Sequence, residues 1–296
     1  TSWTTAGAPR LAERFSVRGH DGLNIAGARH GRGGPPVVAV HATGFCKEVW
    51  QPVVADGLGD CDVVAIDQRG HGESDEPPVP FDWWDLGRDI VAVLDHLSLP
   101  TAVGVGHSSG AAALVMAEVL RPGTFVGLVL IEPIVFPGPP MRHEASPLAA
   151  GAEQRRSAFP SRDAARESYR GRGPFAHWDD RVLDAYVRGG LRERADGGVE
   201  LRCRPDFEAE CYRSGTAHGA WDRLGEVRCP AVVVAGSESD PHHLTLAERQ
   251  ADALGDAAVV VVDGATHFLP MERPRITAEI LADMIEQVCG PAGDRP

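Results

Sequence analysis

Residues 102–110 read A-V-G-V-G-H-S-S-G. A short valine-bearing run ends in Gly106, His107, Ser108, Ser109 and Gly110, and an alanine-rich stretch, A-A-A-L-V-M-A-E-V-L, follows at once. The order strand, G-x-S-x-G, helix predicts a sharp strand-to-helix turn. Small residues on both sides let the backbone turn tightly and hold the Ser108 hydroxyl clear of the sheet, beside the positive end of a helix. The pattern alone is weak; its place between an apolar run and a helix gives it weight. Read structurally only, the same residues make a glycine-softened turn with a capping serine.

Working outward, similar apolar runs occupy 37–40, 63–66, 128–131, 231–235 and 259–262. They are valine-rich and lack alternation, as expected of parallel strands covered on both faces. Between them lie helix-length amphipathic segments: 83–97 behind Asp82, 109–120 stopped by Pro122 and Gly123, and 276–288. Runs 15–18 and 23–28 flank Asp21-Gly22 and predict an antiparallel hairpin at the sheet edge. The expected class is α/β, a mostly parallel twisted sheet with helices on both faces.

Residues 136–220 break this rhythm. They are rich in Arg, Asp, Glu and Gly, with helical pieces at 161–169 and 179–187. An insertion of this kind is expected as a helical cap over the C-terminal strand ends, where ligands bind. The domain reading is therefore a core of 1–135 and 221–296 with a 136–220 cap. The alternative is a surface excursion whose aromatics (Phe159, Tyr169, Phe175, Trp178, Tyr186, Phe207, Tyr212) form a small core of their own.

Composition narrows the function class. The chain has 296 residues, 43% hydrophobic and 24% charged, which disfavours disorder and coiled coil. A formal charge of −13 repels phosphate backbones and anionic membrane surfaces, so neither nucleic acid nor membrane is an expected partner. No apolar run approaches the roughly 20 residues of a membrane span. The N-terminal T-S-W-T-T-A-G-A-P-R lacks a signal-peptide layout. Cys46, Cys61, Cys203, Cys211, Cys229 and Cys289 show no C-x-x-C spacing, which points to free thiols in a reducing compartment. A cytoplasmic location is expected. Lys47 is the one lysine, a skew to which no function attaches.

Serine is a poor nucleophile unless a base lies within hydrogen-bond reach. His267, in G-A-T-H-F-L-P-M-E-R-P after the last strand, sits on a loop that can reach back over the sheet to Ser108. H-A-T-G-F (residues 41–45) suits an oxyanion-hole loop, pairing the backbone N–H of Ser109 with one from Thr43 or Gly44. The turn D-Q-R-G-H-G-E-S (67–74) is expected to buttress it. Gly44, Phe45 and His107 are the candidate substrate-contacting positions, although for His107, beside the nucleophile, a structural role is the preferred reading. Trp83 and Trp84 read as a helix-start pair packed on the sheet rather than a cleft wall. His242 and His243 resemble a metal pair, but no third ligand is evident, so no metal is expected.

Together H-x-x-G-F, D-x-R-G-H-G-x-S, G-H-S-S-G and G-x-x-H-x-x-x-x-E-x-P resemble the α/β-hydrolase-fold serine hydrolases, over almost the whole chain outside the cap. The resemblance implies Ser108 as nucleophile, His267 as base, and Ser109 with Thr43 as oxyanion donors. A serine at the elbow sets the chain apart from the dehalogenase and epoxide hydrolase branches, which use aspartate there. The acid departs from the pattern. The usual G-x-x-D after the penultimate strand falls, counted from Gly236, on Ser239, with Asp240 one residue late. Some members take the acid from the preceding strand, which here ends in Glu132. A charge at a buried strand end wants a partner, so Glu132 is preferred, with Asp240 and Glu238 as alternatives.

The expected activity is that of a cofactor-free serine hydrolase acting on a small-molecule ester, lactone or related acyl compound through a Ser-His-acid triad. Alternatives are a carbon–carbon hydrolase, lyase or perhydrolase on the same constellation, or a non-catalytic binding protein that kept the pocket.

Overall fold

The computed structural model describes residues 12–290 except 32 and 256, so the N-terminal ten residues read above lie outside the described residues. In chain order the first elements are β1 (Glu13–Arg18), β2 (Asn24–His30), β3 (Pro36–Val40), α1 (Gln51–Gly57), β4 (Asp62–Ile66), α2 (Trp84–His96), β5 (Ala102–His107), α3 (Ser109–Leu120) and β6 (Phe125–Ile131). The segment 136–220 then carries α4 (Pro147–Gln154), β7 (Ala158–Phe159), α5 (Arg162–Tyr169), α6 (Asp180–Gly189), β8 (Leu191–Glu193), β9 (Val199–Leu201) and α7 (Pro205–Ser214). The chain continues with β10 (Ala231–Gly236), α8 (Pro241–Leu254), β11 (Ala257–Val262), α9 (Leu269–Glu272) and α10 (Pro274–Cys289).

Among the described residues the main sheet has the order β1-β2-β4-β3-β5-β6-β10-β11. The β1–β2 hairpin pairs antiparallel with itself and with β4, and the remaining neighbours run parallel. Successive side chains along a strand face opposite ways, so each parallel strand feeds two cores. Val38, Val40, Leu128 and Leu130 pack under α2, α3 and α8, whereas Val37, Ala39, Val129 and Ile131 pack under α1 and α10. Strand β11, last in the sheet among the described residues, departs from the expectation of full cover: Val261 is half exposed.

Helix α3 explains its alanine-rich sequence. It is buried from Ser109 to Val119, so it has no polar face to present. A Cβ at Gly87 of α2 would stand 2.8 Å from the Ala117 nitrogen, so small residues on both helices set this close crossing. Lys47 is also buried and lies within hydrogen-bond reach of Asp67 at 2.7 Å and Glu73 at 2.8 Å.

Segment 136–220 is not purely helical, since β7, β9 and β8 form a small antiparallel sheet. Most of its aromatics join the main cores, whereas Tyr212 packs on Ala149, Ala152 and Ala209 in a small cluster apart. Phe45 packs edge-on against Trp178 (5.1 Å between centroids) and Tyr186 (5.6 Å), and Phe207 packs on His71 and Phe81. Trp83 and Trp84 tie in the end of the segment, their indole N–H groups donating to Ser214 Oγ and the His218 carbonyl. All six cysteines are free: Cys46, Cys203 and Cys211 are buried, and Cys289 is exposed. No helix of the described residues is long and apolar enough to cross a membrane.

Candidate active site

Ser108 sits between β5 and α3 with φ 55° and ψ −112°, a backbone conformation that costs a non-glycine residue on the order of 1–3 kcal/mol. The flanking glycines make the turn possible. A Cβ at Gly106 would lie 2.6 Å from the Ala111 nitrogen, and one at Gly110 would lie 2.2 Å from the Val40 carbonyl oxygen. The next strand makes a parallel arrangement. His107 and Ile131 are register partners, so Ser108 and Glu132 each stand one residue beyond the end of adjacent strands. Glu132 also has a positive φ of 45°.

The Glu132 carboxylate is fully enclosed and held on both oxygens. Oε1 accepts from the Gly236 N–H at 3.0 Å and from the Ser239 hydroxyl. Oε2 lies 2.6 Å from His267 Nδ1 and 2.6 Å from His243 Nδ1. Burial alone would push this carboxyl up, but the hydrogen bonds from His243, His267 and Ser239 outweigh it and hold it well below the usual carboxylate range. The same contact with Glu132 raises the His243 imidazole.

His267 is carried by the loop from β11 to α9, which the E-x-P end of its motif fixes. Glu272 accepts from the Thr266 N–H at 2.9 Å and from its hydroxyl at 2.6 Å. The His267 carbonyl accepts from His107 Nε2 at 2.8 Å. His107 is wholly buried and its imidazole is pushed down to about 3, by burial first and by His267 next, so it remains neutral and acts as a clamp on the loop.

Ser109 is the first residue of α3, where a backbone N–H has no acceptor within the helix. Its hydroxyl accepts from Gln68 Nε2 at 3.1 Å, and the same amide donates to the His41 carbonyl at 2.5 Å. The 67–74 turn therefore joins the helix start to the loop that carries Thr43. From the other side Tyr186 reaches the Gly44 carbonyl at 3.4 Å, and Arg155 bonds both Tyr186 and Glu208. Gly44 has φ +84°, and a Cβ there would meet Glu208 Oε1 at 2.6 Å.

A cavity of about 840 Å³ lies above these residues, bounded below by Thr43, Ser108, His243 and His267 and above by Arg142, Leu148, Tyr212 and Thr216 of segment 136–220. Asp240 also reaches the cavity, but its carboxylate caps α8 by accepting from the His242 N–H at 2.9 Å. Gly44 and Phe45 are not in the cavity wall, contrary to expectation, and neither is His107, which takes the structural place preferred for it. Phe45 is drawn into the aromatic cluster, His107 lies beneath the His267 loop, and Gly44 is covered by Glu208 and Arg155. Sequence reasoning missed Ser239 and the place of His243. Both lie in the stretch searched for an aspartate, and only the fold brings Glu132 to them.

The family model of the alpha/beta hydrolase family matches residues 37–280. The chain is 27% identical to a 2-(acetamidomethylene)succinate hydrolase of Mesorhizobium japonicum, an alignment covering 86% of this chain and 88% of that one. It is 23% identical to the karrikin insensitive 2 receptor IA of Petunia hybrida, over 85% and 90% of the two chains. A crystal structure of E-2-(acetamidomethylene)succinate hydrolase shares the fold with a TM-score of 0.77 at 24% identity, covering 93% of this chain and 99% of that one.

Proposed function

The chain belongs to the alpha/beta hydrolase family, and from that premise we propose that it is a serine hydrolase cleaving an ester, lactone or related acyl bond of a small molecule. The observation that carries this reading is the 2.6 Å contact between Glu132 Oε2 and His267 Nδ1, on a loop bordering the same cavity as Ser108.

Ser108 Oγ attacks the acyl carbon as His267 Nε2 takes its proton. Glu132 holds the proton on Nδ1, which leaves Nε2 free to accept, and stabilises the imidazolium that forms. The negative oxygen of the tetrahedral intermediate is received by the backbone N–H groups of Ser109 and Thr43. Nε2 then returns its proton to the leaving group. Water, deprotonated by the same nitrogen, releases the acid and restores Ser108. Segment 136–220 serves as a cap that supplies the upper wall of the pocket.

The relative named a 2-(acetamidomethylene)succinate hydrolase supports hydrolysis, whereas the one named a receptor supports ligand binding as a second reading. A panel of 4-nitrophenyl esters and lactones, followed by acid release in a pH-stat, tests the reading. Acid release by the wild type and none by Ser108→Ala is expected. Tight ligand binding with no acid released from any compound would favour the receptor-like reading.

A further inference from the structure

We propose that Glu132, His243 and His267 form a binding site for a borderline transition-metal dication, with Zn2+ as the reference ion, and that its occupation switches the enzyme off. The binding claim stands on the geometry alone; the inhibition claim rests on the serine hydrolase reading.

Three ligand atoms, one carboxylate oxygen and two imidazole nitrogens, lie within 4.8 Å of one another. Two histidines and one carboxylate are a donor set that suits zinc, with a fourth position left for water. Here that position faces the cavity, which both His243 and His267 border. The carboxylate is already oriented as a ligand: Ser239 and the Gly236 N–H occupy Oε1, so Oε2 is the atom presented to both rings. The Glu132 carboxylate brings a negative charge to the cluster, which favours a cation.

The present N···O separations of 2.6 Å are hydrogen-bond lengths. Metal bonds of about 2.0–2.2 Å in a tetrahedral arrangement require the ligand atoms to sit roughly 3.3 Å apart. Each ring must therefore retreat from the carboxylate oxygen by roughly 0.7 Å. Both histidine side chains are a little under a third exposed, on the cavity side, while Glu132 is fixed beneath them.

Inhibition follows from proton placement. A neutral imidazole ligated through Nδ1 carries its proton on Nε2. When the ion binds His267, the proton leaves Nδ1 and is replaced on Nε2 by way of solvent, with no redox change. Nε2 then has no lone pair to accept the Ser108 proton, and Glu132 is committed to the metal. No new group blocks the pocket; the base is locked in the wrong tautomer.

Isothermal titration of metal-free protein with ZnCl2 tests binding directly, using the wild type, Ser108→Ala, His243→Ala, His243→Gln and His242→Ala. One ion should bind the wild type, Ser108→Ala and His242→Ala alike. Both His243 substitutions should weaken binding by at least about tenfold. Cobalt titration should give the visible absorption of a tetrahedral site in the wild type, and that signal should disappear in both His243 variants. Equal affinity across the set would put the ion elsewhere and overturn the proposal, as would no binding to the wild type. Zinc binding that leaves esterase turnover untouched would overturn the inhibitory role while leaving the site. If Ser108→Ala binds zinc and the wild type hydrolyses nothing, the fault lies with the hydrolase reading.

Discussion

Oε2 of Glu132 and Nδ1 of His267 lie 2.6 Å apart although 135 positions separate the two residues. The contact is built from two independent strand ends. Glu132 leaves β6 one residue past its register with β5, and His267 is brought in by a loop clamped through Glu272 and His107. A carboxylate so placed can fix the imidazole tautomer, and its remaining oxygen is occupied by Ser239 and Gly236.

Glu132→Gln should lower kcat by about three to four powers of ten, the scale expected when the orienting carboxylate of a triad becomes an amide. Asp240→Asn should stay within about tenfold of wild type, because Asp240 caps α8 and an asparagine caps nearly as well. Steady-state kinetics on one chromogenic ester compares them. The reverse order would move the acid to Asp240.

Glu272→Ala should remove the two bonds that fix Thr266 and leave the half-buried Thr266 N–H without its acceptor. A stability loss of roughly 1–3 kcal/mol is expected, with a fall in kcat as the His267 loop loosens. Urea denaturation and kinetics on the same preparation check both effects. Unchanged stability would show that the loop is held by other contacts.

Gly110→Ala would place a methyl group 2.2 Å from the Val40 carbonyl oxygen, which is backbone in a central strand and cannot step aside. The elbow must shift or the strand must move, at a cost on the order of 1–3 kcal/mol or more. Thermal unfolding should show the loss. A variant with wild-type stability and activity would contradict the close approach of α3 to β3.

His41 and His71 are wholly buried, and burial pushes them down to about 4 and about 3. Above pH 6.5 both are neutral folded and unfolded, so they add no pH dependence. As pH falls below 6.5 the unfolded chain takes up protons that the folded chain refuses, and stability drops by roughly 1 kcal/mol per histidine per pH unit until the folded values are reached. The urea midpoint should therefore be lower at pH 5 than at pH 7. His71→Gln should flatten that difference. A His71→Gln slope equal to wild type would show that His71 does not contribute.

The sheet and the elbow were legible because their signals are local: continuous valine runs, and glycines at the two positions where the backbone of α3 and β3 comes too close for a Cβ. The choice between Glu132 and Asp240 depends on the β5–β6 register and on what else occupies each carboxylate. The sequence favoured Glu132 on the cost of burying a charge, and that same cost now accounts for its four donors. Phe45, expected to contact the substrate, lies outside the cavity wall. Its place is decided by Trp178 and Tyr186, more than a hundred residues away. The strands β7, β8 and β9 are two or three residues long, too short to leave an alternation in the sequence. His243 was visible as half of a histidine pair, but its third neighbour comes from a strand end 111 positions upstream.

The most direct test of an activated Ser108 is the intact mass of the protein after treatment with a fluorophosphonate, for wild type beside Ser108→Ala. One adduct on the wild type and none on the variant is the predicted result. No adduct on a folded wild type, or the same adduct on both, would contradict the assignment of Ser108 as the nucleophile.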